Sequence, residues 1–143
     1  MSSVKTASLN RQKTVTLIEN FFKQFEICCN RQTAPTAVEF ENIIAENFQI
    51  SSNNKLAAKN RSEYLDRIKN FQKNYSSVKI SALMEEPIIS DNKVVVRYDA
   101  DLIARERQQN MQVNIIAIAT VDNDLLTSWN QIAHVTGRDQ WDS

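Results

Sequence analysis

The sequence predicts an α+β domain in which helices come first and an antiparallel sheet follows. Up to about residue 75, one short hairpin apart, apolar side chains recur at steps of three and four, the spacing of a helix face. Beyond Ser77 they fall into strand-like runs divided by polar clusters. The chain has one glycine (Gly137) and two prolines (Pro35, Pro87), so its turns fall to Asn, Asp and Ser.

The first helix is predicted from about Asn10 to Cys29, with Val15, Ile18, Phe21, Phe22, Phe25, Cys28 and Cys29 on one face. The second starts at Thr36, where Thr36-Ala-Val-Glu39 reads as a capping box. Its inner side holds Ala37, Phe40, Ile43 and Ile44, and it ends near Asn47. Phe48–Ser51 and Lys55–Ala58 flank Ser52-Asn53-Asn54, a hairpin whose asparagines tolerate left-handed backbone angles. The third helix takes Asn60 as N-cap with Glu63 three residues on, and its stripe is Tyr64, Leu65, Ile68, Phe71 and Tyr75. Four strands then follow as a meander. Val78–Ser90 is interrupted at Glu85-Glu86-Pro87, a bulge or edge position because proline cannot donate to a ladder. Lys93–Arg105, Met111–Val121 and Leu125–Thr136 are joined by Gln108-Gln109-Asn110 and Asp122-Asn123-Asp124, after a first turn at Asp91-Asn92.

Alternation assigns the faces. Val94, Val96, Tyr98, Ala100 and Leu102 are expected to face the helices, with Val95, Arg97, Asp99, Asp101 and Ile103 on the reverse. Met111–Val121 is apolar on both sides, so both need a cover. The helices cover one. A second copy of the chain is the expected cover for the other, with Val113, Ile115, Ala117 and Ala119 as the dimer interface.

Composition narrows the function classes. A chain of 143 residues is the size of one domain, and 42% apolar with 24% charged residues is ordinary for a globular protein. Seventeen basic and seventeen acidic residues cancel, which argues against a nucleic-acid partner. No apolar run has the length of a membrane span, and the first residues lack the apolar stretch of a secretory signal. One histidine and two adjacent cysteines offer no zinc ligand set, and neighbouring cysteines rarely pair with each other. A cytoplasmic protein without metal or cofactor is expected, its single domain over residues 10–136 between a flexible N-terminus (1–9) and a C-terminal tail (137–143).

Three stretches resemble the nuclear transport factor 2-like superfamily, within it the polyketide cyclase (SnoaL)-like domains. Phe21-Phe22-Lys-Gln-Phe25 is similar to the aromatic first helix. Phe48-Gln-Ile followed by Asn60-Arg-Ser-Glu-Tyr-Leu resembles the first strand leading into the helix that covers the pocket. Asp122-Asn-Asp-Leu-Leu-Thr-Ser-Trp129 resembles the terminal turn and strand with its tryptophan. The resemblance implies a cone: a curved antiparallel sheet packed on three helices around a hollow for a small, largely apolar ligand. It implies binding of such a molecule, with isomerisation, cyclisation or hydrolysis as the associated chemistries. A non-catalytic dimerisation or protein-association module is the competing implication. Many members carry a glutamate where Thr127 stands here, so their acid–base mechanism is not carried over. Fold alone does not decide among these functions.

The candidate site residues follow from residue type and parity. Trp129 shares parity with Leu125 and Thr127 and is placed on the concave side, as pocket wall or core. Phe22, Tyr64, Tyr98, Asn114 and Gln131 join it as candidate ligand-binding residues, Tyr98 and Tyr64 as hydrogen-bond donors into the hollow. His134 is the only side chain suited to proton transfer near neutral pH, yet strict alternation puts it opposite Trp129. Asp99 and Asp101 form a carboxylate pair of the kind acid–base catalysis uses, and limonene epoxide hydrolases of the superfamily use an Asp–Arg–Asp set. Their parity is convex, with Arg97, where a solvated charge ladder is the alternative. His134, Tyr98, Asp99 and Asp101 are therefore the catalytic candidates. The basic residues of the helices read as solvated faces.

Overall fold

The computed structural model describes residues 9–81 and 86–138. The sheet is a strongly curled half-barrel, and three helices lie in and over its hollow. Helix α1 (Arg11–Cys29) begins where the Asn10 side chain accepts from the Lys13 N–H at 2.9 Å. It buries Leu17, Ile18, Phe21, Phe22, Cys28 and Cys29. Thr14 is buried too, and Val15, expected inward, is only half-buried. Helix α3 (Arg61–Asn74) begins likewise, with the Asn60 side chain accepting from the Glu63 N–H at 2.8 Å.

The second helix is far shorter than its periodicity suggests. Helix α2 is Ala37–Phe40, and Ile44 already opens strand β1 (Ile44–Ser52). The reason is non-local. β1 pairs in parallel with the last strand, β7 (Leu125–Arg138), placing Ile44 opposite Leu126 and Ile50 opposite Trp129. A ladder to a strand some eighty residues away overrides a local helical spacing. The sheet is therefore mixed rather than wholly antiparallel. Its order is β2-β1-β7-β6-β5-β3, with β2 (Lys55–Ala58), β3 (Tyr75–Ile80), β5 (Lys93–Ala104) and β6 (Asn110–Asp122). Tyr75, expected on the helix stripe, opens β3 instead. A short β4 (Ile88–Ser90) shares the β5 edge with β3, so the break before Pro87 divides one long edge into two pieces. Glu85 lies outside the described residues. β7 runs through Arg138, into the stretch expected as a tail. Residues 1–8 and 139–143 also lie outside the described residues.

The turns follow the composition. Asn53, Asn54, Asp91, Asn123 and Asp124 all have positive φ, which Asn and Asp adopt at little cost in place of the missing glycines.

β6 corrects the expected faces. Tyr98 stands opposite Ile115 and Ala100 opposite Val113, and cross-strand partners share a side. Val113, Ile115, Ala117 and Ala119, expected at a dimer interface, are therefore buried on the concave side. Ala119 faces Trp129 and Ala117 faces Gln131 across the β6–β7 ladder, small residues leaving room for large ones inside a tight curl. The convex side of β6 instead presents Ile116 and Ile118, 52% and 48% exposed.

Glu39 ties α2 to the end of α1. Its carboxylate accepts from both Arg31 Nη atoms at 2.6 Å and from the Thr36 N–H at 2.9 Å. The Arg31 guanidinium, helped by the Thr36 donors, holds the Glu39 carboxyl down at about 2. A carboxyl lowered in the folded state stabilises above its ordinary value near 4.3 and loses that contribution as pH falls through the folded value. Urea-denaturation midpoints are therefore expected to fall between about pH 4.5 and 2, and Glu39→Gln is expected to lower stability at neutral pH and shrink this acid-dependent part.

Candidate functional site

The curl of the sheet leaves a cavity of about 250 Å³ between its concave face and helices α1 and α3. Its inner end is aromatic because Phe21 and Phe22 on α1 meet residues of matching parity on β5 and β7. Phe21 lies 4.7 Å from Trp129 and Phe22 4.3 Å from Tyr98, ring centre to ring centre. Tyr64 of α3 stacks on Phe21 at 5.8 Å. The more exposed rim includes Arg67, Phe71, Tyr75, Met111 and Val135.

Polar atoms in this interior converge on Gln131. Its Oε1 accepts from the Trp129 indole N–H at 2.9 Å and from the Tyr98 hydroxyl at 3.3 Å, and its Nε2 donates to Ser52 Oγ at 3.2 Å. One buried amide thus satisfies two donors and fixes two aromatic walls. Burial pushes the Tyr98 phenol upward, so it stays a neutral donor. Burial does the same to Tyr64, whose hydroxyl has no partner among the described residues. The Cys29 thiol at the end of α1 is pushed up to about 12 by burial, which makes it a small apolar packing group rather than a nucleophile.

Of the predicted ligand-binding residues, Phe22, Tyr64, Tyr98, Trp129 and Gln131 line this cavity. Asn114 does not. It is exposed on the convex side, where its amide donates to Asp99 and His134 stands opposite it. Asp99, Asp101 and His134 all lie on that outer side, so of the catalytic candidates Tyr98 alone reaches the cavity. Strict alternation from Trp129 placed His134 correctly, because no bulge intervenes between them. Alternation fails on the other side of Trp129. Ser128 faces Thr120 and Leu126 faces Val121, leaving Thr127 as an extra residue, and Leu126 rather than Leu125 or Thr127 is the buried one. The Thr127 hydroxyl donates to the Thr120 carbonyl at 3.3 Å and to Asp122 at 3.2 Å, so it serves the turn.

Arg67 is the residue that sequence reasoning missed. Its charge reads as part of a solvated helix face, yet it is the one charged side chain among the described residues lining the cavity. Its position, three after Tyr64 and four before Phe71, puts it on the buried stripe and was the available signal. Its guanidinium carbon lies 5.2 Å from the centre of the Phe71 ring.

No protein-family model matches this sequence, and no functionally curated protein matches it. Solved structures do match. An LEH-like epoxide hydrolase of Mycobacterium tuberculosis superposes with a TM-score of 0.68 at 9% identity, over 87% of this chain and 84% of that one. TsrD of Streptomyces laurentii gives 0.70 at 11% identity, over 87% and 90%. A nuclear transport factor 2-like protein of Burkholderia xenovorans gives 0.64 at 13% identity, over 91% and 93%. The chain has the nuclear transport factor 2-like cone fold.

Replacing Gln131 by leucine keeps the volume but removes the acceptor for two buried donors. Gln131→Leu is expected to cost about 2–3 kcal/mol in urea denaturation. A loss below about 0.5 kcal/mol would show that the amide does not organise the inner wall.

Proposed function

We propose that the protein binds a small, mostly apolar molecule in the cone cavity, and does so as a homodimer. The observation that carries the first part is a 250 Å³ space with aromatic and aliphatic walls and a few convergent polar atoms, the usual character of a ligand site. The polyketide cyclase-like stretches at Phe21–Phe25, Asn60–Leu65 and Asp122–Trp129 support the same reading.

Binding is favoured over the isomerase, cyclase or hydrolase reading by the chemistry of the walls. Among the described residues lining the cavity there is no carboxylate and no histidine. Tyr98 is held neutral, and an arginine does not exchange its proton near neutral pH. The cavity therefore offers hydrogen bonds and shape without a group that cycles a proton.

The dimer rests on the convex face. Ile88, Val95 and Ile118 lie in one row across β4, β5 and β6 that ends at Asn130 on β7, and in the next row Ile116 and Ile132 stand opposite each other beside Arg97 on β5. Ile88, Ile116, Ile118 and Ile132 are each about half exposed or more. Polar rows bound this band: Lys93, Thr120 and Ser128 on one side, Asp99, Asn114 and His134 on the other. An apolar centre with a polar rim is the anatomy of a subunit interface, and the band replaces the buried residues first expected there.

Thermal denaturation against a panel of lactones, aromatic polyketide fragments, steroids and medium-chain fatty acids tests the cavity. A bound compound at roughly a hundred times its Kd is expected to add about 2.7 kcal/mol and raise Tm by several degrees. Ala133→Phe, which intrudes from the rim, is expected to abolish that rise while leaving the unliganded Tm near wild type. No shift from any compound would favour the association-module reading. In light scattering the wild type is expected at twice the chain mass of 16.4 kDa and Ile116→Arg at the single-chain mass. An unchanged mass in the variant would remove the convex band as the interface.

A further inference from the structure

We infer that the cavity's ligand is a compact hydrophobic monocarboxylate, its anionic end held by Arg67 at the rim and its apolar body directed toward Trp129 and Tyr98. This rests on the cavity-binding reading above and gives it a ligand class.

Five observations converge on it. Arg67 is the sole charged group among the described lining residues, so the cavity carries a positive charge that its own walls do not balance. The ion pairs among the described residues join Arg11 to Glu86, Arg31 to Glu39 and Lys69 to Asp66, and none engages Arg67. Asp66, its neighbour on α3, points its carboxylate to Lys69 at 3.7 Å. Arg67 is only half-buried, so a carboxylate meeting it there keeps part of its hydration and escapes the cost of an ion taken into the interior. The guanidinium fork matches a carboxylate in two parallel hydrogen bonds, and the Phe71 ring lies under it at 5.2 Å.

Charge and size narrow the class further. A single arginine suits a single negative charge. Tyr64, one turn earlier on the same helix face, contributes a buried hydroxyl that no described residue accepts, so the interior adds a neutral donor and no second cation. A cavity of 150 Å³ holds one benzene, so a space of 250 Å³ takes about ten non-hydrogen atoms. That is the size of octanoate or a phenylalkanoate, and about half that of a steroid.

The test is calorimetric titration of the full chain with octanoate and with 1-octanol, which share the alkyl body and differ in the head group. Octanoate is expected to bind roughly tenfold or more tightly than octanol, the preference a charge-assisted pair supplies. Arg67→Leu is expected to erase that preference by weakening octanoate and leaving octanol unchanged, and Arg67→Lys to retain part of it. Circular dichroism checks that both variants fold. Should Arg67→Leu not fold, the wild-type comparison together with Arg67→Lys decides. Equal affinity for the two compounds, or an octanoate affinity indifferent to both substitutions, would overturn the carboxylate assignment while leaving an apolar binding cavity. Binding of neither would overturn the cavity reading and this inference with it.

Discussion

The contact between two phenylalanines of the first helix and two aromatic residues of the sheet governs this structure. Phe21 against Trp129 and Phe22 against Tyr98 anchor α1 to the concave face at one end of the curl. Truncating a buried aromatic of this kind costs about 3–5 kcal/mol, a large part of the stability of a domain this size. Because the anchor sits at one end, the helices close the hollow there and leave it open toward Phe71, Tyr75 and Met111. Gln131 then fixes both ring systems through one amide oxygen, so the wall that closes the cavity is also its best-organised polar feature. The contacts that pack the core are thus also those that shape the cavity.

Much of this was legible in the sequence, and what was not has identifiable physical causes. Asn10 and Asn60 cap their helices as their residue types suggest, since a short side chain with an oxygen meets an otherwise unpaired N–H. The turns at Asn53, Asp91 and Asn123 stand where clusters of Asn and Asp announced them. The faces of β5 followed from alternation alone. Residues 44–47 misled because their spacing fits a helix, and only the distant partner β7 makes them a strand. On β6 both faces are apolar, so alternation gave two sets without saying which pointed inward; the register with Tyr98 and Ala100 decides it. The extra residue at Thr127 shifts a parity that no single-sequence pattern announces. Five of the six predicted ligand-binding residues line the cavity; Asn114 does not, because it shares the parity of Ile116. Arg67 escaped notice for the converse reason, a charged residue on a stripe otherwise read for its hydrophobes.

The two faces of the sheet divide the work. The concave face sets small residues opposite large ones, Ala119 against Trp129 and Ala117 against Gln131, which fits side chains to a tight curl and leaves residual space. The convex face carries a band of isoleucines between polar rows, a surface a monomer seldom leaves uncovered. Solved structures of the same fold include an LEH-like epoxide hydrolase, and at identities near 10% the likeness extends to architecture and not to chemistry. In this chain Asp99, Asp101 and His134 lie on the outer face, while the polar groups lining the cavity include Tyr98, Gln131 and Arg67.

Everything rests on the space beneath Trp129 being open and apolar. Diffraction from crystals under xenon pressure tests it without reference to any chosen ligand, because xenon enters apolar voids and is excluded from filled interiors. A xenon site is expected between Phe22, Trp129 and Val113. Electron density showing that volume occupied by the protein's own side chains, with no xenon there, would contradict it.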